Sequence, residues 1–120
     1  MDKIYQTIDI IIVAQKKARQ NNDYLTLMSN AEALLEFVPS LIGYCVEQES
    51  QYRKYEAKLS NENDLSTGKK LSSSYCETQA KATDYYKEWQ KVKMFLDFIY
   101  EMVNMSKKLA GTVDKEMSLN

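Results

Sequence analysis

Turn-forming residues are scarce in this sequence, and this scarcity limits its fold more than any other feature. The chain has 120 residues but only three glycines and one proline, whereas an average globular chain of this length carries about eight and about six. β-Sandwiches and β-barrels need a turn after every short strand, so the sequence cannot supply enough turns for either fold. We therefore predict an all-α protein with few, long helices.

The apolar pattern divides the chain into three predicted helices, at about residues 3–20, 24–61 and 75–110. The third helix is roughly 54 Å long at ~1.5 Å per residue, which is too long for a compact globule of this size. We therefore expect an elongated, coiled-coil-like antiparallel hairpin, with the shorter N-terminal helix packed at one end as a three-helix bundle. Residues 1–110 are predicted to form one domain, and residues 111–120 a flexible tail.

Each predicted helix carries a stripe of residues spaced alternately by three and four, as expected for one buried face. The β-branched run Ile10–Val13 leaves a buried strand open as an alternative for the first segment. From Phe95 onward a second apolar row runs beside the first, and one partner helix cannot cover both, so self-association is expected. The three stripes are Ile4, Ile8, Ile11, Gln15 and Ala18; Tyr24, Met28, Ala31, Leu35, Val38, Ile42, Cys45, Glu49, Tyr52, Glu56 and Leu59; and Ala82, Tyr85, Trp89, Val92, Leu96, Ile99, Val103, Ser106 and Ala110.

Local signals predict where the helices stop and start. Either Asn22 or Asp23 is the expected N-cap of the second helix. Pro39 predicts a kink or a break, and the unchanged phase of the stripe favours a kink. Residues 61–74 form the one predicted loop, in which Gly68 supplies the turn. The third helix is expected to begin at a serine cap and to end at a glycine, namely Ser73 or Ser74 and Gly111.

The absence of histidine argues against catalysis and favours a function through binding. The chain contains no histidine, so it lacks the usual general base and the commonest zinc ligand. The carboxylates that could suggest a metal site are therefore interpreted as a solvated acidic surface. We predict a non-enzymatic protein without cofactor or metal. The carboxylates in question are Glu32, Glu36, Glu47 and Glu49.

Two cysteines and short apolar runs predict a protein of a reducing, cytoplasmic compartment. Cys45 and Cys76 lie roughly 18 Å apart along the predicted hairpin, and a disulfide needs Cα atoms within ~7 Å. We expect both to be packing residues. The longest unbroken apolar run, Ile10–Ala14, is too short to span a bilayer, and no export signal precedes it. No membrane partner is therefore expected.

The distribution of charge is compatible only with a local contact to nucleic acid. The net charge is −1, composed of +2 in residues 1–22, −5 in residues 23–64 and +2 in residues 65–120. The calculated pI of 5.5 differs from that of strong nucleic-acid binders, which exceeds ~9. Basic residues do gather around the predicted hairpin tip, where they could contact a nucleic-acid backbone or form an ordinary solvated surface. The candidates are Arg53, Lys54, Lys58, Lys69, Lys70 and Lys81.

Tyrosines outside the predicted stripes are the better candidates for stacking on bases. The chain has nine tyrosines and one tryptophan, and most of those on or beside the stripes are expected to pack. Tyr44, Tyr75 and Tyr86 lie off the stripes. Exposed aromatic rings that alternate with basic residues are typical of single-stranded nucleic-acid binding.

Several segments together resemble a known phage family. They are residues 52–59 (Tyr-Arg-Lys-Tyr-Glu-Ala-Lys-Leu), the polar loop, residues 79–86, Trp89, and residues 95–98 with the later pair Lys107 and Lys108. Over about residues 30–110 this layout resembles the phage recombination mediators, the UvsY-like proteins. The resemblance implies a short, helical homo-oligomer in the cytoplasm of an infected bacterium. It would bind single-stranded DNA and help to load a recombinase past single-strand-binding protein. By the same resemblance, the DNA contacts would be Arg53, Lys54 and Lys58, followed by Lys69 and Lys70.

A second interpretation is a small acidic phage inhibitor of a host defence nuclease, similar to an anti-CRISPR protein. The acidic residues 23–64 could imitate nucleic acid and occupy a basic cleft. Such a protein would act only by contact, as the mediator would, but its partner would be a nuclease.

Overall fold

Helices account for most of the backbone. The structure, a computed structural model, describes the backbone of residues 1–119 and the side chains of residues 1–109. Within this part of the chain no strand forms, and one isolated β-bridge joins Asn63 to Lys70. The all-α class is confirmed, and the first segment is a helix, whereas the elongated three-helix hairpin stays a prediction. The helices are α1 (Asp2–Gln20), α2 (Tyr24–Glu36), α3 (Val38–Ser60), α4 (Ser73–Lys81) and α5 (Asp84–Leu119).

The turn between α1 and α2 forms at the residues that the sequence analysis predicts. Asn22 takes a positive φ of 55°, a conformation that asparagine tolerates better than most residues. Asp23 then caps α2, because its carboxylate accepts hydrogen bonds from the Thr26 amide at 3.2 Å and the Thr26 hydroxyl at 2.6 Å. These bonds lower the pKa of Asp23 below its ordinary value of 3.8. Of the two predicted caps, Asp23 is the one used.

The second predicted helix is divided at Phe37 into α2 and α3. The interruption is a single residue, and Phe37 keeps right-handed helical angles (φ −82°, ψ −17°). Pro39 lies in the first turn of α3, where its missing N–H leaves no helical hydrogen bond unmade. A new helix thus starts just before the proline, but the interruption is one residue with helical angles, and Tyr24–Ser60 also counts as one bent helix of 37 residues. The expectation of a kink rather than a reversal near Pro39 is therefore confirmed.

The third predicted helix is divided as well. Its first part, α4, is capped by Ser72, whose Oγ accepts from the Tyr75 amide at 3.1 Å, so the predicted caps Ser73 and Ser74 are wrong by one or two residues. At Thr83 the hydroxyl donates to the Ala80 carbonyl at 2.7 Å and accepts from the Tyr86 amide at 3.4 Å. A threonine that bonds locally in this way competes with the helical ladder and starts a new helix.

The final helix runs further than predicted. α5 continues through Gly111 to Leu119, so the helix end predicted at Gly111 is wrong. The side chains of Ala110 and of residues 112–120 lie outside the described residues. The mobility predicted for the tail 111–120 stays a prediction.

The chain divides into two compact units. Unit 1 comprises Met1–Pro39 and Leu96–Asn120, and unit 2 comprises Ser40–Phe95. In unit 1 helices α1 and α2 pack on each other, and most of its buried side chains are aliphatic. The unit 1 core includes Ile8, Ile12, Leu27, Ala31, Leu34, Ile99, Met102 and Val103, and the buried apolar residues of unit 2 are Leu41, Tyr52, Cys76, Ala80 and Val92.

The buried face of α2 differs by one residue from the predicted stripe. Leu27 and Leu34 are buried, whereas the stripe residue Leu35 is exposed. In α3, likewise, Leu41 is buried and its stripe neighbour Ile42 is exposed. Both pairs place two apolar residues side by side, so the periodicity fits either row equally well. The choice depends on tertiary packing.

One helical stretch combines length with apolar composition. In the described residues, Tyr24–Ser60 contains an 18-residue window with a mean hydropathy of 1.2, and 22% of that window is buried. By length and composition alone this stretch could cross a membrane. The core helix of a soluble protein passes the same test, so the expectation that no membrane is involved stays a prediction.

Candidate nucleic-acid interface

The loop between α3 and α4 is held together by its own hydrogen bonds. The amide of Asp64 donates to the Lys69 carbonyl at 2.6 Å, and the amide of Gly68 donates to the Asp64 carbonyl at 2.8 Å. Gly68 takes a φ of +70°, a left-handed conformation that glycine adopts without strain. The loop predicted at residues 61–74 therefore forms with Gly68 at its turn, and it has a defined shape.

A carboxylate within this loop is already engaged. Asp64 Oδ1 accepts from the Ser66 amide at 2.8 Å and from the Ser66 hydroxyl at 2.6 Å. These bonds lower the pKa of Asp64 below its ordinary value of 3.8. Asp64 therefore stays ionised at neutral pH with its charge directed to Ser66, and no ion pair joins it to a lysine of the loop in the described residues.

The loop and the start of α4 line an open groove with a volume of about 660 Å³. We call it the loop groove. It is lined by Lys69, Lys70 and Tyr75, and Tyr75 is 48% exposed. The groove thus carries two ammonium groups against the one carboxylate of Asp64, together with an accessible aromatic ring. Its remaining lining residues are Asn63, Asp64, Leu65, Thr67, Leu71 and Ser72.

A second group of aromatic and basic residues lies elsewhere in unit 2. We call Tyr52, Tyr86 and Trp89 the aromatic cluster. The rings of Tyr52 and Trp89 stack at 5.5 Å between centroids, Tyr52 and Tyr86 lie at 5.1 Å, and Tyr86 meets Trp89 edge-on at 5.9 Å. These separations are typical of stabilising aromatic pairs. The three rings therefore pack against one another.

Cations cover the aromatic cluster. The Arg53 guanidinium carbon lies 5.3 Å from the Tyr52 centroid and 5.6 Å from that of Trp89. Lys93 Nζ lies 4.9 Å from the Trp89 centroid. Cation–π contacts at these distances stabilise the fold at the protein surface. Trp89 and Lys93 also act on Cys45, whose thiol pKa is raised by burial and by the carboxylate of Glu49, against the opposing influence of Lys93 and Trp89.

Two of the predicted basic residues already have acidic partners. Arg53 lies 3.6 Å from Glu49, and Lys81 lies 2.7 Å from Glu77, both across one helical turn. The Glu77 carboxylate raises the pKa of Lys81 and the Lys81 ammonium lowers the pKa of Glu77. Such exposed pairs stabilise little, but each carboxylate offsets part of the positive charge that a phosphate would meet.

The structure separates the six predicted site residues into three groups. Lys69 and Lys70 line the loop groove. Arg53 lies on the aromatic cluster, and the charge of Lys81 acts on Tyr52 and Tyr86 there. Lys54 and Lys58 are exposed on α3, and in the described part of the chain neither has an ion-pair partner. Lys58 lies in the last turn of α3, where a cation also stabilises the helix end.

The three tyrosines selected for stacking have different surroundings. Tyr75 lines the loop groove with its ring accessible. Tyr86 is half-buried in the aromatic cluster. The Tyr44 hydroxyl donates to Glu88 Oε2 at 3.0 Å. Of these three tyrosines, only Tyr75 combines exposure with neighbouring lysines. Lys93, on the cluster, was not among the predicted residues, although its i, i+4 spacing from Trp89 would have pointed to it.

Cys45 and Cys76 do not form a disulfide with each other. Both are free thiols, with Cys76 buried and Cys45 half-buried. Among the described residues no group of three or more cysteine, aspartate and glutamate side chains is placed to hold a metal ion. No family model, curated protein or solved structure matches this chain.

Proposed function

We propose that this chain is a non-enzymatic protein that binds single-stranded nucleic acid through the loop groove, in the manner of a recombination mediator. One observation carries the proposal: Lys69, Lys70 and the exposed ring of Tyr75 line the same groove. No ion pair to either lysine occurs in the described residues. Both ammonium groups are therefore available to phosphates.

The chemistry of the groove suits an unpaired strand. Lysine ammonium groups neutralise phosphates and release counterions, which is the main source of sequence-independent affinity. A base of a single strand can lie on the face of an exposed aromatic side chain, whereas a base inside a duplex is already stacked. Lys69 and Lys70 provide the first contact and Tyr75 the second. This combination favours a single strand over a duplex.

The aromatic cluster is the weaker candidate for this role. Its rings pair with one another, Tyr52 is buried, and Arg53 is paired with Glu49. A base could reach Trp89 only by displacing Arg53 or Lys93. We therefore assign the cluster to the stability of unit 2 and the loop groove to the contact with the strand.

Fluorescence anisotropy with a labelled oligothymidine tests the proposal. We expect binding at about 50 mM salt that weakens towards about 200 mM salt, and the double change Lys69→Ala with Lys70→Ala should lower the slope of log K against log salt by about 1.4. The matched control is Lys3→Ala with Lys17→Ala, which removes the same charge from exposed positions of α1. Absence of binding at the lower salt, or equal losses in both variants, would contradict the proposal.

A second pair of variants tests the stacking contact. Tyr75→Leu should weaken binding of the same oligonucleotide by about 1–3 kcal/mol, the usual cost of one lost base–aromatic stack. Tyr100, which is exposed on the part of α5 in unit 1, provides the control Tyr100→Leu. If both changes alter the affinity equally, Tyr75 makes no specific contact.

Self-association belongs to this proposal. Several apolar side chains of unit 1 are exposed, and exposed apolar residues that adjoin one another are typical of contacts between protein chains. A mediator would expose it to further copies of the chain, to a recombinase and to single-strand-binding protein in the cytoplasm of an infected bacterium. Light scattering tests the first of these partners, since a monomer at all concentrations would count against a mediator. The exposed residues include Ile10, Val13, Leu25 and Leu35.

The acidic inhibitor of a host defence nuclease is the second candidate. It is favoured by the exposed carboxylates of Glu32, Glu36 and Glu47 on α2 and α3, which no lysine or arginine of the described residues pairs with. A pull-down from a bacterial lysate separates the two functions. The mediator should retain single-strand-binding protein or recombinase, whereas the inhibitor should retain a nuclease complex.

A further inference from the structure

The outer face of α1, in unit 1, carries a second regular stripe of residues. One side of this helix is buried, with Tyr5 the first of its buried residues and Ala18 the last. The residues on the opposite side are exposed, and they are again spaced alternately by three and four. This spacing is typical of a helix that packs along another helix. We call these residues the outer stripe: Lys3, Gln6, Ile10, Val13, Lys17 and Gln20.

The centre of the outer stripe is apolar and open to the solvent. Ile10 is 69% exposed and Val13 is 66% exposed. Both side chains project away from the core of unit 1, because they lie on the side of α1 opposite its buried residues. Two adjoining apolar residues in the middle of a stripe with polar ends are typical of a short contact between helices of different chains.

The charges of α1 indicate which partner fits this face. Residues 2–10 carry two aspartates and one lysine, a net charge of −1, whereas residues 11–20 carry three basic residues, a net charge of +3. A second α1 that runs in the opposite direction places the basic half of each helix on the acidic half of the other. It also opposes the two helix dipoles. A second α1 in the same direction would place the two basic halves together, so the face is complementary to itself only in the antiparallel orientation.

The outer stripe also has a register in which no like charges meet. When two antiparallel helices are centred between Ile10 and Val13, each Ile10 lies opposite the Val13 of the other copy. The lysines near the two ends of the stripe then lie opposite the glutamines Gln6 and Gln20. In a parallel pair each lysine of the stripe would instead face the same lysine of the other copy. The antiparallel register therefore avoids repulsion along the whole stripe.

The same register brings two residues of opposite charge together beside the stripe. Asp9 and Lys16 flank the outer stripe on the same side, seven residues apart, and both are exposed. In an antiparallel pair the flanking positions of the two copies approach each other, so the Asp9 of each copy meets the Lys16 of the other. Twofold symmetry makes this contact occur twice. In the described residues no ion pair within the chain occupies either side chain.

We propose that unit 1 forms an antiparallel homodimer through the outer stripe of α1, with two Asp9–Lys16 ion pairs beside the apolar centre. The helix has 19 residues and is roughly 28 Å long at ~1.5 Å per residue. A contact between two such helices is small, so the dimer is weak and reversible. This inference rests on the self-association of the proposed function, for which it names the surface, and it does not involve the loop groove.

Sedimentation equilibrium of the full chain from about 10 μM to about 1 mM, a range suited to weak association, tests the apolar centre. Val13→Glu places a charge there and should raise the dissociation constant of the dimer by about tenfold or more. The matched control is Val46→Glu, since Val46 is 60% exposed on α3 in unit 2. Circular dichroism checks that both variants fold.

Three outcomes of this experiment would overturn the dimer. A wild-type chain that stays monomeric over the whole range would contradict it together with the self-association of the proposed function. Association that is unchanged in Val13→Glu, or equally weakened in Val46→Glu, would place the contact on another surface and contradict the α1 dimer alone. Binding of oligothymidine is measured separately by anisotropy, so the proposal for the loop groove does not depend on these results.

Exchanged charges test the antiparallel register. The Asp9→Lys chain carries a lysine at both flanking positions, and the Lys16→Asp chain carries an aspartate at both. Each variant alone should dimerise about tenfold more weakly than wild type, because like charges then meet. An equimolar mixture of the two should recover the wild-type affinity, because every flanking lysine then meets an aspartate. A mixture that associates no better than its components would overturn the antiparallel register.

A second mixture controls for net charge. Glu47 and Lys54 are also seven residues apart and are exposed on α3, in unit 2. Glu47→Lys and Lys54→Asp change the net charge by the same amounts as the two α1 variants. We expect neither of them, nor their mixture, to alter the dimer by more than about twofold at about 150 mM salt, where distant charges are screened. Equal weakening and recovery in this control would mean that overall charge, and not the Asp9–Lys16 contact, governs association, and the proposal would be wrong.

Discussion

Unit 1 and unit 2 are stabilised in different ways. Unit 1 buries aliphatic side chains such as Ile8, Leu34 and Ile99 completely, and it encloses the polar pair Gln15 and Ser106. Unit 2 buries fewer large aliphatic residues and relies on three mutually packed rings that cations cover. The comparison shows a division of roles within one chain. Unit 1 supplies an aliphatic core, whereas unit 2 presents basic residues and the α3–α4 loop to the solvent.

The largest expected effect lies in the core of unit 1. Leu34→Ala removes a fully buried side chain, so we expect the free energy of unfolding to fall by about 2–5 kcal/mol. Chemical denaturation followed by circular dichroism measures it. The control Leu25→Ala removes the same atoms from a residue that is 87% exposed, and it should change the stability by less than about 0.5 kcal/mol. A small loss for Leu34→Ala would contradict the assignment of unit 1 as the stabilising core.

The aromatic cluster of unit 2 gives a smaller effect. Trp89→Leu removes two aromatic pairs, with Tyr52 and with Tyr86, and should destabilise the chain by about 1–3 kcal/mol in the same denaturation experiment. Tyr85→Leu is the control, because Tyr85 lies on the same helix and is exposed. Equal losses in both variants would show that the ring contacts contribute nothing specific to unit 2.

The buried polar pair of unit 1, Gln15 and Ser106, should contribute less to the free energy of unfolding than the aromatic cluster does. Ser106→Ala removes one of the two acceptors of Gln15 Nε2, and the expected loss is about 1 kcal/mol. The comparison is Ser29→Ala, at an exposed position of α2, where alanine should be neutral or slightly stabilising because of its helix propensity. Stabilisation by Ser106→Ala would mean that an apolar core without this hydrogen bond suits unit 1 better.

The smallest expected effect is a pH dependence of stability, which the Asp23 cap of α2 should have and the Ser72 cap of α4 should lack. The pKa of Asp23 is lowered in the folded state by its bonds to Thr26, so its contribution to stability is present above the ordinary pKa and is lost as the pH falls through the lowered value. The cap of α4, Ser72, does not titrate in this range. Asp23→Asn should match wild type at pH 7, because asparagine caps equally well.

Denaturation at pH 7 and near pH 3 checks this prediction. Wild type should lose more stability on acidification than Asp23→Asn does. The variant Asp64→Asn provides a comparison in unit 2, where the loop carboxylate also has a lowered pKa. If the Asp23→Asn variant loses as much stability as wild type, the cap does not depend on the charge of Asp23.

Local chemistry made part of this structure predictable. Asp23 as a cap and Gly68 as a turn follow from single-residue rules that operate without tertiary contacts. The all-α class follows from the scarcity of glycine and proline. Lys69 and Lys70 could be selected as candidates because they lie in the one polar loop, and Tyr75 because it lies off the predicted stripes.

Other features depend on contacts that periodicity does not encode. Leu34 and Leu35 are equally apolar, and only packing buries the first. Thr83 divides the last helix through hydrogen bonds of its own hydroxyl, which compete with a strong helical pattern. Gln15 and Ser106 both lie on predicted stripes, but their mutual bond joins residues 91 positions apart. Periodicity therefore could not predict this hydrogen bond.

The internal bonding of the α3–α4 loop has a kinetic consequence. Trypsin cleaves after lysine, and Lys69 and Lys70 are exposed at the surface, but a protease needs an extended segment of backbone. Because the Asp64 amide is bonded to the Lys69 carbonyl and Lys70 is bridged to Asn63, the loop must open before it is cut. The rate of nicking at this point thus reports how often the loop opens, and a bound oligonucleotide should slow it.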